Sequence, residues 1–210
     1  QVEIGAQSGV NAIISAIQNH RPDAAGPQIG VQVKACLALF YLAHDEDNTA
    51  HIFNEGGVEA VLSSMRQYRA EMLMQQAACA LLQNLARSNT EERQKLAELG
   101  AAADILAAMQ AHQSAAPVQL HAAQALWNMA DETHAHSRSA ANTPANSPSH
   151  AAAIEPGNSM LTEEEEEAAM KALIAGMREL GGEREVQRCG LRALAVLLTR
   201  GGSTQAERFA

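Results

Sequence analysis

The sequence predicts an all-α fold, a short array of stacked helical repeats, and three observations carry that prediction. Hydrophobic residues make up 47% of the 210 but aromatics only 3%, so the core must be aliphatic and alanine-rich. Such a core suits closely packed helices better than a sheet. β-branched runs alternating with period two are absent. Finally, one amphipathic helix recurs, as "VQVKACLALFYLA" (31–43), "MQQAACALLQNLA" (74–86), "VQLHAAQALWNMA" (118–130) and, blurred, "VQRCGLRALAVLL" (186–198).

Aligned, the four copies place Gln32, Gln75, Gln119 and Gln187 in one column, at separations of 43, 44 and 68 residues. Leu39, Leu82, Leu126 and Leu194 form a second column, and Leu42, Leu85, Met129 and Leu197 a third. Ala35, Ala78, Ala122 and Gly190 supply small residues at one position, which lets neighbouring helices approach closely. A second helix precedes each copy. "AIISAI" (12–17), "AVLSSM" (60–65), "DILAAM" (104–109) and "ALIAGM" (172–177) share an apolar pair followed three residues on by Ile or Met. A period near 43 with two or three helices per unit marks an α-solenoid, because one helix pair cannot bury its own apolar face and stacked neighbours bury it for each other.

The unit "NTAHIFNEGGVEAVLSSMRQYRAEMLMQQAACALLQNLA" (48–86) resembles an armadillo repeat. In that family a short first helix ends in a Gly-rich corner, and a second helix leads to a long third helix ending in a motif like A-L-x-N-L-A. Here 48–55 corresponds to the first helix, Gly56-Gly57 to the corner, 58–68 to the second helix and 72–87 to the third. A glycine at the corner permits the sharp turn. Residues 89–130 match again, with "EERQKLAELG" leading into Gly100. The opening "QVEIGAQSGVNAI" resembles a unit already under way, and "STQAERFA" (203–210) the first helix of a fifth. HEAT repeats share the length and stacking, but the Asn84 motif and the glycine corner favour armadillo. The resemblance implies a right-handed superhelical α-solenoid of about four armadillo-type repeats.

The organisation expected is armadillo repeats over 1–130, the first unit truncated, an insertion over 131–161, and a further repeat with the start of the next over 162–210. The wide third spacing, 68 against 44, adds roughly 24 residues, and the excess falls in a Ser/Pro/Asn-rich stretch (133–159) without apolar periodicity. That composition predicts a flexible loop in place of a first helix. Thr143-Pro144 and Ser147-Pro148 within it are minimal proline-directed phosphorylation sites. After it, "LTEEEEEAAM" reads as a helix start, with Thr162 as N-cap and Glu165 completing a capping box, or as an acidic patch for a basic partner.

The net charge of −9, 24 acidic against 15 basic residues, argues against nucleic-acid partners and anionic membranes. No apolar run approaches the ~20 residues of a membrane span. Cys36, Cys79 and Cys189 lack CxxC spacing and read as reduced, buried residues of a cytoplasmic protein, with cytoskeletal or flagellar association open. Because the chain begins at Gln1, a fragment or processed product is expected. Walker, HExxH, GxSxG and GxGxxG motifs are absent, and the His134/His136 pair lacks further ligands. The expectation is therefore no enzyme, no cofactor and no metal.

In armadillo proteins the third helices line a concave groove in which the motif asparagine bonds the backbone of an extended peptide. Asn84 and Asn128 match that position, while Tyr41 and Val196 stand there in the outer copies. Four and seven residues earlier on the same face lie Leu37 and Lys34, Ala80 and Ala77, Gln124 and His121, and Arg192 and Cys189. Importin-like members carry a tryptophan four before the asparagine, and none of these copies does. The candidate partner-binding groove is Asn84, Asn128, Gln124, His121, Trp127 and Tyr41, with Trp127 serving either packing or contact. The repeated glutamines lie about 180° away and are expected to tie repeats together. Two readings follow: a module binding an extended peptide or partner protein in its groove, or a structural segment of a larger armadillo scaffold.

Overall fold

The computed structural model describes residues 2–19, 29–130 and 160–200, with side chains from Ser8 to Thr199. The described residues form ten helices and no strand: α1 (Val2–Asn19), α2 (Ile29–Leu42), α3 (Glu46–Asn54), α4 (Gly57–Gln67), α5 (Met72–Leu85), α6 (Thr90–Glu98), α7 (Ala101–Ala111), α8 (Ala116–Ala130), α9 (Glu163–Glu179) and α10 (Arg184–Arg200). The expected loop over 133–159 and the expected fifth-unit helix over 203–210 lie outside the described residues.

Two full triplets, α3–α4–α5 and α6–α7–α8, sit at the centre, flanked by the pairs α1–α2 and α9–α10. Short polar caps start the first helices. Asp45 accepts from the Asn48 amide at 3.0 Å, and Asn89 from that of Glu92 at 2.9 Å. Each first helix then stops at a glycine in the left-handed region, Gly56 at φ 72° and Gly100 at φ 76°. Only glycine takes that conformation without strain, and it swings the chain into the second helix. The corner also needs room. A Cβ on Gly57 would lie 2.8 Å from both Ile52 Cγ2 and the Ile52 carbonyl oxygen.

Helices α2, α5, α8 and α10 stack side by side as one layer, with the second helices α1, α4, α7 and α9 behind them. The predicted columns are the core between: Leu39 and Leu85 are fully buried, and Leu82, Leu126, Met129 and Leu197 are buried beside them. The small column works as expected at its far end, where a Cβ on Gly190 would meet Met177 Sδ at 2.5 Å.

The glutamine column has a sharper role than tying one repeat to the next. Gln32 Nε2 donates to the Ile17 carbonyl at 2.9 Å. Gln75 donates to Met65 and Tyr68 (2.9 Å each), Gln119 to Met109 and His112 (2.8 and 3.0 Å), and Gln187 to Met177 and Leu180 (2.6 and 3.1 Å). Each third helix thus latches carbonyls at the C-terminal end of the second helix of its own pair, and in three pairs the outermost of these (Tyr68, His112, Leu180) also accepts a backbone amide. Two also reach onward: Gln32 accepts from Ser64 Oγ at 2.8 Å, and Gln119 packs against Gly176 on α9, where a Cβ would meet its Oε1. The column is intra-unit first and inter-unit second.

The last pair departs from the triplets. α9 is 17 residues long, against 11 for α4 and α7, and its extra N-terminal turns are the glutamate run. Thr162 and Glu165 form the expected capping box, and Glu166 is buried at 5% exposure. The run therefore builds the helix start, and the capping reading accounts for its first residues.

Candidate partner-binding face

The third-helix layer is joined from unit to unit by side-chain bonds as well as packing. Asn84 Nδ2 donates to the Phe40 carbonyl at 3.0 Å, and Asn128 Nδ2 to the Gln83 carbonyl at 2.9 Å. Both asparagines are buried, at 6% and 5% exposure. Both bonds reach back to the C-terminal turn of the preceding third helix, whose last carbonyls have no intrahelical donor. The amide nitrogens that the armadillo resemblance assigns to a peptide backbone are thus engaged inside the layer. Val196, at the corresponding place on α10, has no amide to offer.

Around these ties the predicted residues fall into two groups. On α8, His121, Gln124, Trp127 and Asn128 come together with α5 and α10. His121 Nδ1 lies 2.9 Å from Gln83 Oε1, Gln124 Nε2 donates to Cys189 Sγ at 3.3 Å, and the Arg192 guanidinium lies over the Trp127 ring, 4.1 Å from its centroid. Trp127 is half-buried, packed on the core on one side and covered by Arg192 on the other. Tyr41 stands apart from them. It is 71% exposed at the far end of the layer, stacked edge-on against Phe40 with ring centroids 5.1 Å apart. His44 adds a second edge-on contact to Phe40 and lies 3.4 Å from the Asn84 amide.

Reading the residue positions alone misses Arg192 as a partner of Trp127. The row four residues before the motif position does contain it, so register offered the signal, but the two residues are 65 positions apart. It also misses the apolar ends of the layer. Leu37 is exposed beside Tyr41, and Leu191 and Leu198 are 60% and 41% exposed on α10. In the earlier copies the Leu191 column holds Cys36, Cys79 and Ala123 and the Leu198 column Ala43, Ala86 and Ala130, all buried.

Burial alone shifts the titratable groups within the layer. Burial holds the His121 pKa below the usual imidazole range, so the ring is neutral near pH 7 and its bond to Gln83 is that of a neutral donor. Burial likewise pushes the Cys36 and Cys79 thiols up to about 12, which removes them as thiolate nucleophiles. No cluster of three metal-ligating side chains occurs among the described residues, and no helix among them is long and apolar enough to cross a membrane.

Comparison with known proteins agrees with this geometry. The family model for the LRRK2 ARM repeat matches residues 27–206. Protein aardvark of Dictyostelium discoideum is 31% identical over 98 residues, 42% of this chain, and the match spans 12% of that protein's length. Among solved structures, the designed armadillo repeat protein YIII(Dq.V1)4CPAF, in complex with the peptide (KR)4, superposes with a TM-score of 0.52 at 16% identity, covering 90% of this chain and 82% of that one. An engineered protein from the Northeast Structural Genomics Consortium superposes with a TM-score of 0.51 at 20% identity, covering 92% and 81%.

Proposed function

Because the chain belongs to the LRRK2 ARM repeat family, and so to the armadillo solenoids, we propose that it is a non-enzymatic protein-interaction module that holds an extended peptide or partner protein along its third-helix layer. One observation carries the reading. The layer is pinned from unit to unit by Asn84, Asn128 and the His121–Gln83 bond, yet offers Tyr41 at one end and the Trp127–Arg192 pair at the other. A rigid frame with amphipathic anchors loses little entropy on binding, which is what an affinity-bearing surface needs. The designed neighbour solved with (KR)4 supports a peptide as the ligand. In this reading Gln124, His121, Trp127 and Tyr41 touch the partner, while Asn84 and Asn128 hold the frame that presents them.

The test uses Trp127, the single tryptophan of the chain. Peptides selected from a displayed library on the immobilised protein should shift Trp127 emission and bind with micromolar dissociation constants, on the order of −8 kcal/mol. Tyr41→Ala or Gln124→Ala should weaken them. Selected peptides that leave the emission unchanged and ignore both substitutions would place binding off this layer.

A second reading, a structural segment of a larger armadillo scaffold, is favoured by Leu191 and Leu198, which lie open where earlier units are covered. Fusing one consensus armadillo unit after α10 should then raise the melting temperature and bury both leucines. No change on fusion would count against it.

A further inference from the structure

The four third helices differ in charge from everything else in the chain. α2, α5, α8 and α10 together carry five basic residues (Lys34, Arg184, Arg188, Arg192, Arg200) and one acidic residue, Glu185. The chain as a whole has 15 basic and 24 acidic residues, so ten basic and 23 acidic residues remain for all other segments. α5 and α8 carry no charge, so the positive charge of the layer gathers on α10, where Arg184, Arg188 and Arg192 stand against Glu185 alone. Acidic residues crowd the other layers instead, in the first turns of α3, α6 and α9.

We infer that the third-helix face selects an acidic segment, seated at its α8–α10 end against Arg192 and Arg188. This rests on the groove reading proposed above and adds to it the chemistry of the partner. Three features of that end fit an acidic chain. Arg192 Cζ lies over the Trp127 ring, 4.1 Å from its centroid, which positions the guanidinium at the surface with N–H groups to offer a carboxylate. Arg188 stands on the same helix one turn earlier with its side chain 63% exposed, held only by Glu185, whose side chain is itself 60% exposed. An exposed pair of that kind exchanges partners at small cost. Leu191, 60% exposed on the same helix, adds an apolar side chain for the partner to cover.

Location selects as well as contact. An acidic segment is repelled by the glutamate run of α9 and the first turns of α3 and α6, so the third-helix layer is the face left to it. Such a field steers encounter and fades with salt. A basic segment meets the opposite preference and is drawn to the outer layers.

The experiment titrates the full chain with three fluorescently labelled 12-residue peptides of one pattern, in which leucine alternates with glutamate, glutamine or lysine. Anisotropy reads binding and Trp127 emission reads location. The glutamate peptide should bind about tenfold tighter than the glutamine peptide and weaken severalfold between 50 and 250 mM salt. The double substitution Arg188→Gln with Arg192→Gln should erase that tenfold advantage while circular dichroism stays unchanged and melting falls only slightly, through the lost contact over Trp127. If the glutamine peptide binds as tightly as the glutamate peptide and still moves Trp127, the groove reading stands and acidic selection is overturned. A lysine peptide that binds tightest, or glutamate-peptide binding that ignores the double substitution, also overturns it. If no peptide moves Trp127, the groove reading and this inference fall together.

Discussion

The joint between α4 and α7 and the joint between α7 and α9 should be alike, since both bring one second helix against the next. At the first, Arg66 grips Asp104 with Nε at 3.1 and 2.9 Å from its two oxygens and Nη2 at 2.8 Å, and also donates to the Leu99 carbonyl at 3.2 Å. Asp104 reinforces the grip by raising the Arg66 pKa. At the second, Gln110 and Ala172 occupy the places of Arg66 and Asp104. No ion pair can form from them, and a cavity of about 390 Å³ opens instead, lined by Met109, Gln113, Glu164, Lys171 and Ala175 among others. Directly in front of both joints the third-helix layer runs on with the same glutamine latch. The outer layer can lose an ion pair and gain a cavity without disturbing the inner one, because each latch closes chiefly within its own pair.

That contrast predicts an order of sensitivities. The largest losses should come from the inner layer's core: Leu85→Ala and Met129→Ala, at 0% and 1% exposure, are each expected to cost roughly 2–5 kcal/mol. Leu197→Ala, in the same column of the terminal pair, should fall at the low end near 2, because α10 has an open side that can relax. Urea or thermal unfolding of the three variants orders them, and equal costs would erase the distinction between centre and end.

Next come the latches. Gln119 is 1% exposed and bonds two carbonyls, so Gln119→Ala should cost about 2 kcal/mol, mainly by leaving the buried Met109 carbonyl without its side-chain donor, while the His112 carbonyl keeps the Ala115 amide. Gln187 is only half-buried, water can replace it, and Gln187→Ala should cost about 1. The reverse order would mean that the terminal pair depends on its latch more than the central ones do. Smaller still, Asn84→Ala and Asn128→Ala should each lower stability by about 1 kcal/mol through the lost bonds to Phe40 and Gln83. If the asparagines were poised for a ligand alone, melting would not move.

The smallest expected effect is a gain. Transplanting the first joint onto the second with Gln110→Arg and Ala172→Asp should stabilise by no more than about 1 kcal/mol, because an exposed guanidinium returns little. A double-mutant cycle isolates the coupling, and a value near zero would show that the cavity, not the missing pair, separates the joints.

Much of this was legible because a helix repeats its face. The columns of Gln32, Leu39 and Ala35 mark which side of each third helix is buried, and Gly56 and Gly100 mark the corners, since a left-handed turn has few other occupants. Register tells which face a residue occupies but not what it touches there. Asn84 and Asn128 show the gap. Position made them groove residues, while the orphan carbonyls of the preceding helix, 44 and 45 residues back, took their amides. Those carbonyls exist at every helix end and could have been counted from the start. The Arg192–Trp127 contact was harder, because the wide spacing between the third and fourth copies hides how closely their helices stack.

The glutamine latch also says where this architecture tolerates rearrangement. Every latch closes between a second helix and the third helix that follows it, so in sequence the segment between Ala130 and Met160 joins one latched pair to the next and lies inside neither. The extra length of the sequence sits in that segment. A gene could be cut, lengthened or circularly permuted there and still deliver each pair intact, whereas the same edit between α7 and α8 would separate Gln119 from the carbonyls it holds. The pair, more than the 43-residue repeat, is the inherited unit that recombination could shuffle.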